Sequence, residues 1–230
     1  MTTSSSDYTG LTSRQTYSLG SLIARGGEGA VYTLSSHPGR CAKIYSRGVD
    51  AIRTEKLQAL IKLNRDQLQK ASAWPDEMIV DRAKKPVGFV MPAISGGKPL
   101  HLYITPFDRQ QHAPNATYSK LVAVAANLAR AVTTFHQAGV VLADINFSNF
   151  LVLPDATVRI IDCDSVQIGS KAKFRSGVAM EEFVPPELQG KRMVDVQRTV
   201  DHDNYGLAVL IFLLLAMGRH PCSGNGGTTI

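Results

Sequence analysis

The sequence predicts an α+β chain of two lobes, a small antiparallel β-sheet half carrying one helix and a larger, mainly helical half. Three observations predict it. Between Tyr17 and about Tyr45, short β-prone runs alternate with glycines. At SGGKPL (95–100), glycine and proline cluster without periodicity and read as a hinge. Beyond it helical spacing dominates, ending in the apolar run LAVLIFLLLAM (207–217).

The elements follow in order. Residues 1–16 are polar, lack the apolar stretch of a signal peptide, and read as a flexible lead. TYSLGSLIA, AVYTLSS and RCAKIYS read as three antiparallel strands, with turns at Arg25–Gly29 and His37–Gly39. Residues 50–72 read as one helix, with Ile52, Leu57, Leu60, Ile61, Leu63 and Leu68 on a broad apolar face. EMIVDRA and PVGFVMPAI are two further strands, which places the first lobe at 17–94 and the second at 95–230. The stretch 118–139 is a strong amphipathic helix that stops at Gly139. VVLAD, FLVL and VRIID are short β-like pieces, 165–184 is irregular, and a last helix starts near Asp203.

Composition narrows the function classes. Of 230 residues, 44% are hydrophobic and 19% charged, as in ordinary globular proteins. The apolar run of 11 residues is too short to span a bilayer, which needs about 20. An all-round apolar helix of this kind belongs at the centre of a core. Three separated cysteines and no C-x-x-C point to a reducing, cytoplasmic setting without a zinc or disulfide framework. The net charge of +6 favours anionic ligands, but the basic residues are scattered apart from clusters such as KAKFR (171–175). Charge alone makes no case for nucleic acid.

The chemistry concentrates in LADINFSNFLVL (142–153) and RIIDCDS (159–165). Asp144, Asn149 and Asp162 stand there in D-x4-N…D order. Two carboxylates and an amide on turns are what is needed to grip magnesium-bound phosphates and steer a hydroxyl. Upstream, IARGGEGAVY (23–32) can bring backbone N–H groups close to phosphate oxygens. Read alone, it is equally a tight hairpin. Lys43 follows Val31 by twelve residues, inside CAKIY.

Taken in this order, from about Leu19 to Pro221, these motifs resemble a eukaryotic-type (Hanks-type) bacterial serine/threonine protein kinase domain. The resemblance implies a two-lobed kinase-like fold that takes ATP and Mg2+. The glycine loop would comprise Ala24, Gly26, Gly27, Gly29 and Val31, with Ala24 in place of the first glycine. Lys43, beside Ala42, would contact the phosphates, and Glu55 would pair with Lys43. Met91, the Pro92 carbonyl and the Ile94 N–H would frame the adenine. Asp144 would orient the substrate hydroxyl, and Asn149 and Asp162 would hold metal.

The departures bear on rate and control. Leu142-Ala143 stands for H-R, which removes the usual cationic pocket for a phosphate on the following segment, although Ser165, Ser170 and Ser176 are available there. Asn146 replaces a lysine, which takes positive charge from the transferring phosphoryl group and implies slow turnover. D-F-G reads Asp162-Cys163-Asp164, with Cys163 a smaller apolar plug than phenylalanine. Asp164 would bond locally to backbone or add a second metal contact. Pro185-Pro186-Glu187 resembles A-P-E, and the 201–206 segment resembles D-x-W-S-x-G, whose first aspartate, Asp201 in this alignment, would brace the catalytic loop. The last helices of a usual kinase lobe are missing, so the fold reads as truncated or shortened.

The variants D-C-D-S and D-H-D-N-Y-G look most like kinases associated with helix-hairpin-helix segments, some of them working beside von Willebrand-type and phosphatase proteins. The resemblance therefore implies phosphoryl transfer from ATP to serine or threonine of protein substrates, with a regulatory phosphatase or von Willebrand-type partner. Two rival readings stay open: a nucleotide-binding pseudokinase scaffold, and a small-molecule kinase like the aminoglycoside or choline kinases.

Overall fold

The computed structural model describes residues 7–63, 66–169 and 174–224. The chain divides into two units. One comprises residues 1–95 together with Asp162–Asp164, and the other comprises 96–161 and 165–230. The boundary falls one residue beyond the predicted one, and the three residues Asp162–Asp164 belong with the first unit.

In the first unit, β1 (Asp7–Gly10), β2 (Thr16–Arg25), β3 (Gly29–Leu34), β4 (Arg40–Tyr45), β5 (Glu77–Val80) and β6 (Pro86–Pro92) form a closed antiparallel barrel in the order β1-β2-β3-β4-β6-β5. The expected flexible lead is corrected here: β1 pairs with β2, and closes the barrel on β5 through Thr9 opposite Val80. Thr12 N–H donates to Glu77 Oε1 at 2.8 Å beside that seam. DYTG carries little β signal of its own, so its conformation is fixed by partners far along the chain. Residues 1–6 of the lead lie outside the described residues.

Two glycines let the strands close up. A Cβ on Gly29 would lie 2.3 Å from the Ile44 carbonyl oxygen, and one on Gly88 2.0 Å from that of Lys43. Tyr17, Leu34, Ala42, Ile79 and Val90 pack as one core cluster.

The single helix predicted over 50–72 is two, α1 (Ala51–Lys62) and α2 (Asp66–Ala71). Asp50 caps α1 by accepting the Arg53 N–H at 2.7 Å. At the other end, buried Trp74 donates its indole N–H to the Leu60 carbonyl at 3.0 Å. Leu57, Leu60 and Leu68 are buried, whereas Ile52, predicted on the same face, is 67% exposed.

The second unit contains β7 (Lys98–Pro99), α3 (His101–Ile104), α4 (Pro106–His112), α5 (Tyr118–Gln137), β8 (Val140–Val141), β9 (Phe150–Val152), β10 (Val158–Ile160), β11 (Gln167–Ile168) and α6 (Val200–Leu215). Short α3 and α4 carry no helical periodicity in the sequence. Thr117 caps α5, and Gly139, at φ +77°, follows its C-terminus in the left-handed conformation that glycine adopts freely. Leu121, Val124, Leu128, Val132 and Phe135 give α5 its buried stripe. α6 starts at Val200, earlier than predicted, because Thr199 and His202 form a reciprocal capping box. The helix is not buried all round as expected, since Phe212 is 46% exposed. Among the described residues, no helix is long and apolar enough to cross a membrane.

Candidate functional site

Two clusters hold the predicted site residues, one in each unit. The first is built on β4. Successive strand residues face opposite sides, so Lys43 and Tyr45 share a face. Lys43 lies opposite Val31 on β3 and Phe89 on β6, and is 7% exposed.

The Lys43 ammonium donates to Asp162 Oδ1 at 2.5 Å and to both Asp164 oxygens, at 2.7 and 2.9 Å. Tyr45 OH donates to Asp164 Oδ2 at 2.7 Å. The Asp164 carboxylate thus does more than bond locally to backbone: it grips Lys43 and accepts from Tyr45. The two aspartates differ in access. The Asp162 side chain is 40% exposed and that of Asp164 is 5% exposed.

Their electrostatics separate accordingly. Burial alone would push Asp164 up, but the Lys43 charge and the Lys43 and Tyr45 hydrogen bonds hold its carboxyl below the usual range. Burial and the adjacent Asp164 carboxylate push Asp162 up, against the pull of Lys43. Burial opposes the charge on Lys43, yet Asp164 and Asp162 hold its proton above the usual lysine range. Asp162 also sits in the left-handed region at φ +60°, a strained state for a non-glycine residue.

The predicted partner of Lys43 is corrected. Glu55 is exposed on α1, and the α1 side chain in the field of Asp164, Glu28 and Asp162 is half-buried Lys56. Burial lowers Lys56 to about 8. The phase of α1 explains this. At about 100° per residue, Glu55 stands about 200° from Leu57, on the far side from the Leu57–Leu60 stripe. Arg53 joins the cluster on its outer side, 4.7 Å over the Tyr45 ring and 3.1 Å from Glu28 Oε1.

The remaining positions of this unit that the resemblance assigns to nucleotide lie where the strands put them. Ala24 pairs with Val31 across the β2–β3 hairpin, and the Gly26 N–H donates to the Gly29 carbonyl at 2.8 Å. No atom lies within 4 Å of a Cβ built on Gly26 or Gly27. Gly29 is needed for strand packing. Ala42 is fully buried opposite Val90, and Met91 is 7% exposed. Pro92 and Ile94 are partly exposed. The Pro92 carbonyl faces Cys41 Sγ at 3.7 Å, a weak contact. Cys163 is 1% exposed, and burial pushes its thiol up.

The second cluster is the loop after β8. Asn149 Nδ2 donates to the Asp144 main-chain carbonyl at 2.9 Å and to Asp144 Oδ2 at 3.1 Å. Asn146 is 4% exposed; its Oδ1 caps the turn Phe147–Asn149 by accepting the Ser148 N–H at 2.8 Å. The residue in place of the expected lysine therefore braces the loop.

Asp203 accepts the Leu142 N–H at 2.7 Å, the Ala143 N–H at 2.8 Å and a contact from His136 Nε2 at 2.9 Å. These bonds hold Ala143 at φ +64°. The brace assigned to Asp201 belongs to Asp203, which is 2% exposed on the first turn of α6 while Asp201 faces solvent. Arg198, 4% exposed, lines a small cavity with Asp144, Phe183 and Asp203. Burial lowers its pKa, and the Asp203 and Asp144 charges oppose that shift.

Glu187 is exposed, 3.8 Å from His202 Nε2. Ser176 is 2% exposed, so it is not open to modification in this conformation. Ser170 and most of KAKFR lie outside the described residues.

Sequence reasoning missed Tyr45, Lys56, Arg198 and the roles of Asp164 and Asp203. Tyr45 was readable from strand alternation, and Lys56 from helix phase. Asp203 and Arg198 left no local signal.

Among the described residues, no group of three or more His, Cys, Asp or Glu side chains could hold a metal ion. The family model for the protein kinase domain matches residues 56–230. The chain is 39% identical over 209 residues to protein kinase YegI of Escherichia coli K12, covering 90% of this chain and 32% of that protein. Protein kinase YegI of E. coli O157:H7 is equally similar, at 39% over 208 residues. The chain thus spans about a third of the length of these curated relatives. Among solved structures, the ROP18 kinase domain in complex with AMP-PNP and sucrose superposes with TM-score 0.67 at 15% identity, covering 91% of this chain and 67% of that one. A Toxoplasma gondii rhoptry antigen kinase domain does so with TM-score 0.68 at 13% identity, covering 96% and 72%.

Proposed function

Since this chain belongs to the protein kinase family, we propose that it transfers the terminal phosphoryl group of ATP to serine or threonine hydroxyls of a protein substrate, with Mg2+. The carrying observation is Lys43, a buried ammonium in mid-strand held by two carboxylates, one of them accessible. Such a cation, with a carboxylate beside it, suits a polyphosphate.

In this reading Lys43 binds the phosphates, and Ala24, Gly26, Gly27, Gly29 and Val31 form the loop that approaches them. Ala42, Met91, Pro92 and Ile94 take the adenine. Asp162 and Asn149 are hard oxygen donors of the kind magnesium selects. Asp162 fits that task because one ammonium is shared between two carboxylates, which leaves negative charge on the accessible one. Magnesium, when bound, neutralises charge on the phosphate oxygens. Asp144 orients the substrate hydroxyl and takes its proton, and Asn149 fixes the Asp144 carboxylate for that task.

The partners proposed are the protein substrate and, from the resemblance, a regulatory phosphatase or von Willebrand-type protein. Among the described residues no disulfide joins Cys41, Cys163 and Cys222, and a cytoplasmic setting is part of the same reading.

One observation favours a second reading. Asn146 supplies no charge where the family places a lysine, and its amide is used to brace the loop. A nucleotide-binding scaffold without transfer would tolerate that. The deciding experiment follows labelled γ-phosphate into the chain itself and into a generic basic protein. Transfer that disappears in Asp144→Asn supports the kinase. Full transfer by that variant overturns the mechanism, and nucleotide-dependent thermal stabilisation with no transfer under any metal supports the scaffold.

A further inference from the structure

We propose that Asp164 and Tyr45 together position Lys43, the task the resemblance gives to Glu55; this rests on reading Lys43 as the phosphate-binding lysine. The argument begins with donors and acceptors. An ammonium has three N–H bonds. Lys43 directs its contacts to Asp162 Oδ1, Asp164 Oδ1 and Asp164 Oδ2. Two of the three contacts go to Asp164, whose Oδ2 also accepts from Tyr45 OH.

That arrangement is built into one sheet face. Lys43 and Tyr45 are two apart on β4, so both side chains reach the same carboxylate without help from a helix. Asp164 is the enclosed partner and Asp162 the open one, at 5% and 40% side-chain exposure. Lys43 can therefore release Asp162 to an incoming metal–phosphate group and stay anchored on Asp164. A glycine at 164 would leave Lys43 without its main anchor, which gives the D-C-D sequence a function.

The helix supplies the complementary half of the argument. Glu55 is exposed on α1, and Lys56 is the α1 residue in the field of Asp164 and Asp162. A second cation near two carboxylates and one ammonium balances the cluster; a third acid there would repel Asp164. The Lys43 anchor therefore comes from β4 and Asp164 and not from an acid on α1.

The test reads the Lys43 amine directly. An amine acylates only when it is released to the reagent, so the rate at fixed pH reports how firmly Asp164 and Tyr45 hold the enclosed Lys43 amine in place. Asp162, Asp164 and the Tyr45 ring face Lys43, while Arg53 and Glu28 act on Tyr45, and Lys56 lies in the field of both aspartates. Wild type, Asp164→Asn, Tyr45→Phe and Glu55→Ala are labelled with an amine-reactive reagent at about pH 8 without nucleotide, and the Lys43 peptide is quantified by mass spectrometry. Expected are an increase of at least about tenfold for folded Asp164→Asn, about threefold for Tyr45→Phe, and a change under about twofold for Glu55→Ala.

Wild-type labelling in folded Asp164→Asn, or tenfold acceleration in Glu55→Ala, overturns the proposal. Should Asp164→Asn fail to fold, Tyr45→Phe and Glu55→Ala decide it: equal rates in those two overturn it as well. A parallel wild-type sample with MgATP tests the underlying reading separately. Absence of protection there overturns phosphate binding by Lys43 and leaves the Asp164 anchor standing.

Discussion

Asn149 binds Asp144 twice, through its main-chain carbonyl at 2.9 Å and its carboxylate at 3.1 Å. One carboxamide thus fixes both the backbone and the side chain of the proposed base. Positional freedom of about 1 Å at a reacting group can reduce rate about 100-fold. Asn149→Ala should therefore lower kcat about 100-fold or more. The measurement is single-turnover phosphoryl transfer at saturating MgATP. A variant with wild-type kcat would remove Asn149 from the mechanism.

The Asp203 carboxylate accepts two buried N–H groups and contacts His136. Asp203→Ala should destabilise the fold by about 3 kcal/mol, since it leaves buried donors unpaired. Asp201→Ala, on the exposed side of the same turn, should change stability by about 0.5 kcal/mol or less. Urea denaturation of both variants checks the pair. Equal losses would return the brace to Asp201.

How far these roles could be read in the sequence follows from how local each one is. The roles proposed for Asp144, Asn149, Asp162 and Lys43 rest on short turns and strands whose spacing and neighbours carry the family resemblance. Tyr45 follows from period-2 alternation once β4 is recognised. Lys56 follows from helix phase, but a broad apolar face containing exposed Ile52 hides that phase. β1 escapes notice because its pairing with β5 joins Thr9 to Val80. Asp203 accepts N–H groups about 60 residues away, and no window of neighbouring residues encodes that distance.

The loop glycines separate fold from function. Gly29→Ala would drive a Cβ to 2.3 Å from the Ile44 carbonyl, so backbone must shift. A loss of about 2 kcal/mol and a lower Tm are expected. Gly26→Ala and Gly27→Ala meet no atom within 4 Å and should leave Tm unchanged. Both should raise the KM for ATP if their backbone approaches the phosphates. Unchanged KM in both would remove these two glycines from the nucleotide site.

Lys56 should leave a signature in the pH dependence of stability. Burial lowers its folded pKa from 10.5 to about 8. Between those values the unfolded chain holds the extra proton, so unfolding takes up protons and stability rises as pH increases from about 8 to 10.5. Below about 8 both states are charged, and the penalty for enclosing the ammonium is at full strength. Lys56→Met should then be more stable than wild type by about 2 kcal/mol near neutral pH. The advantage should shrink steadily as pH approaches about 10. Burial and Asp164 raise Tyr45, so it works in the opposite direction at high pH, but it is common to both proteins and cancels in the comparison. Chemical denaturation of the two proteins across this window is the measurement. A constant difference between them would show that the Lys56 ammonium is not enclosed in the folded state.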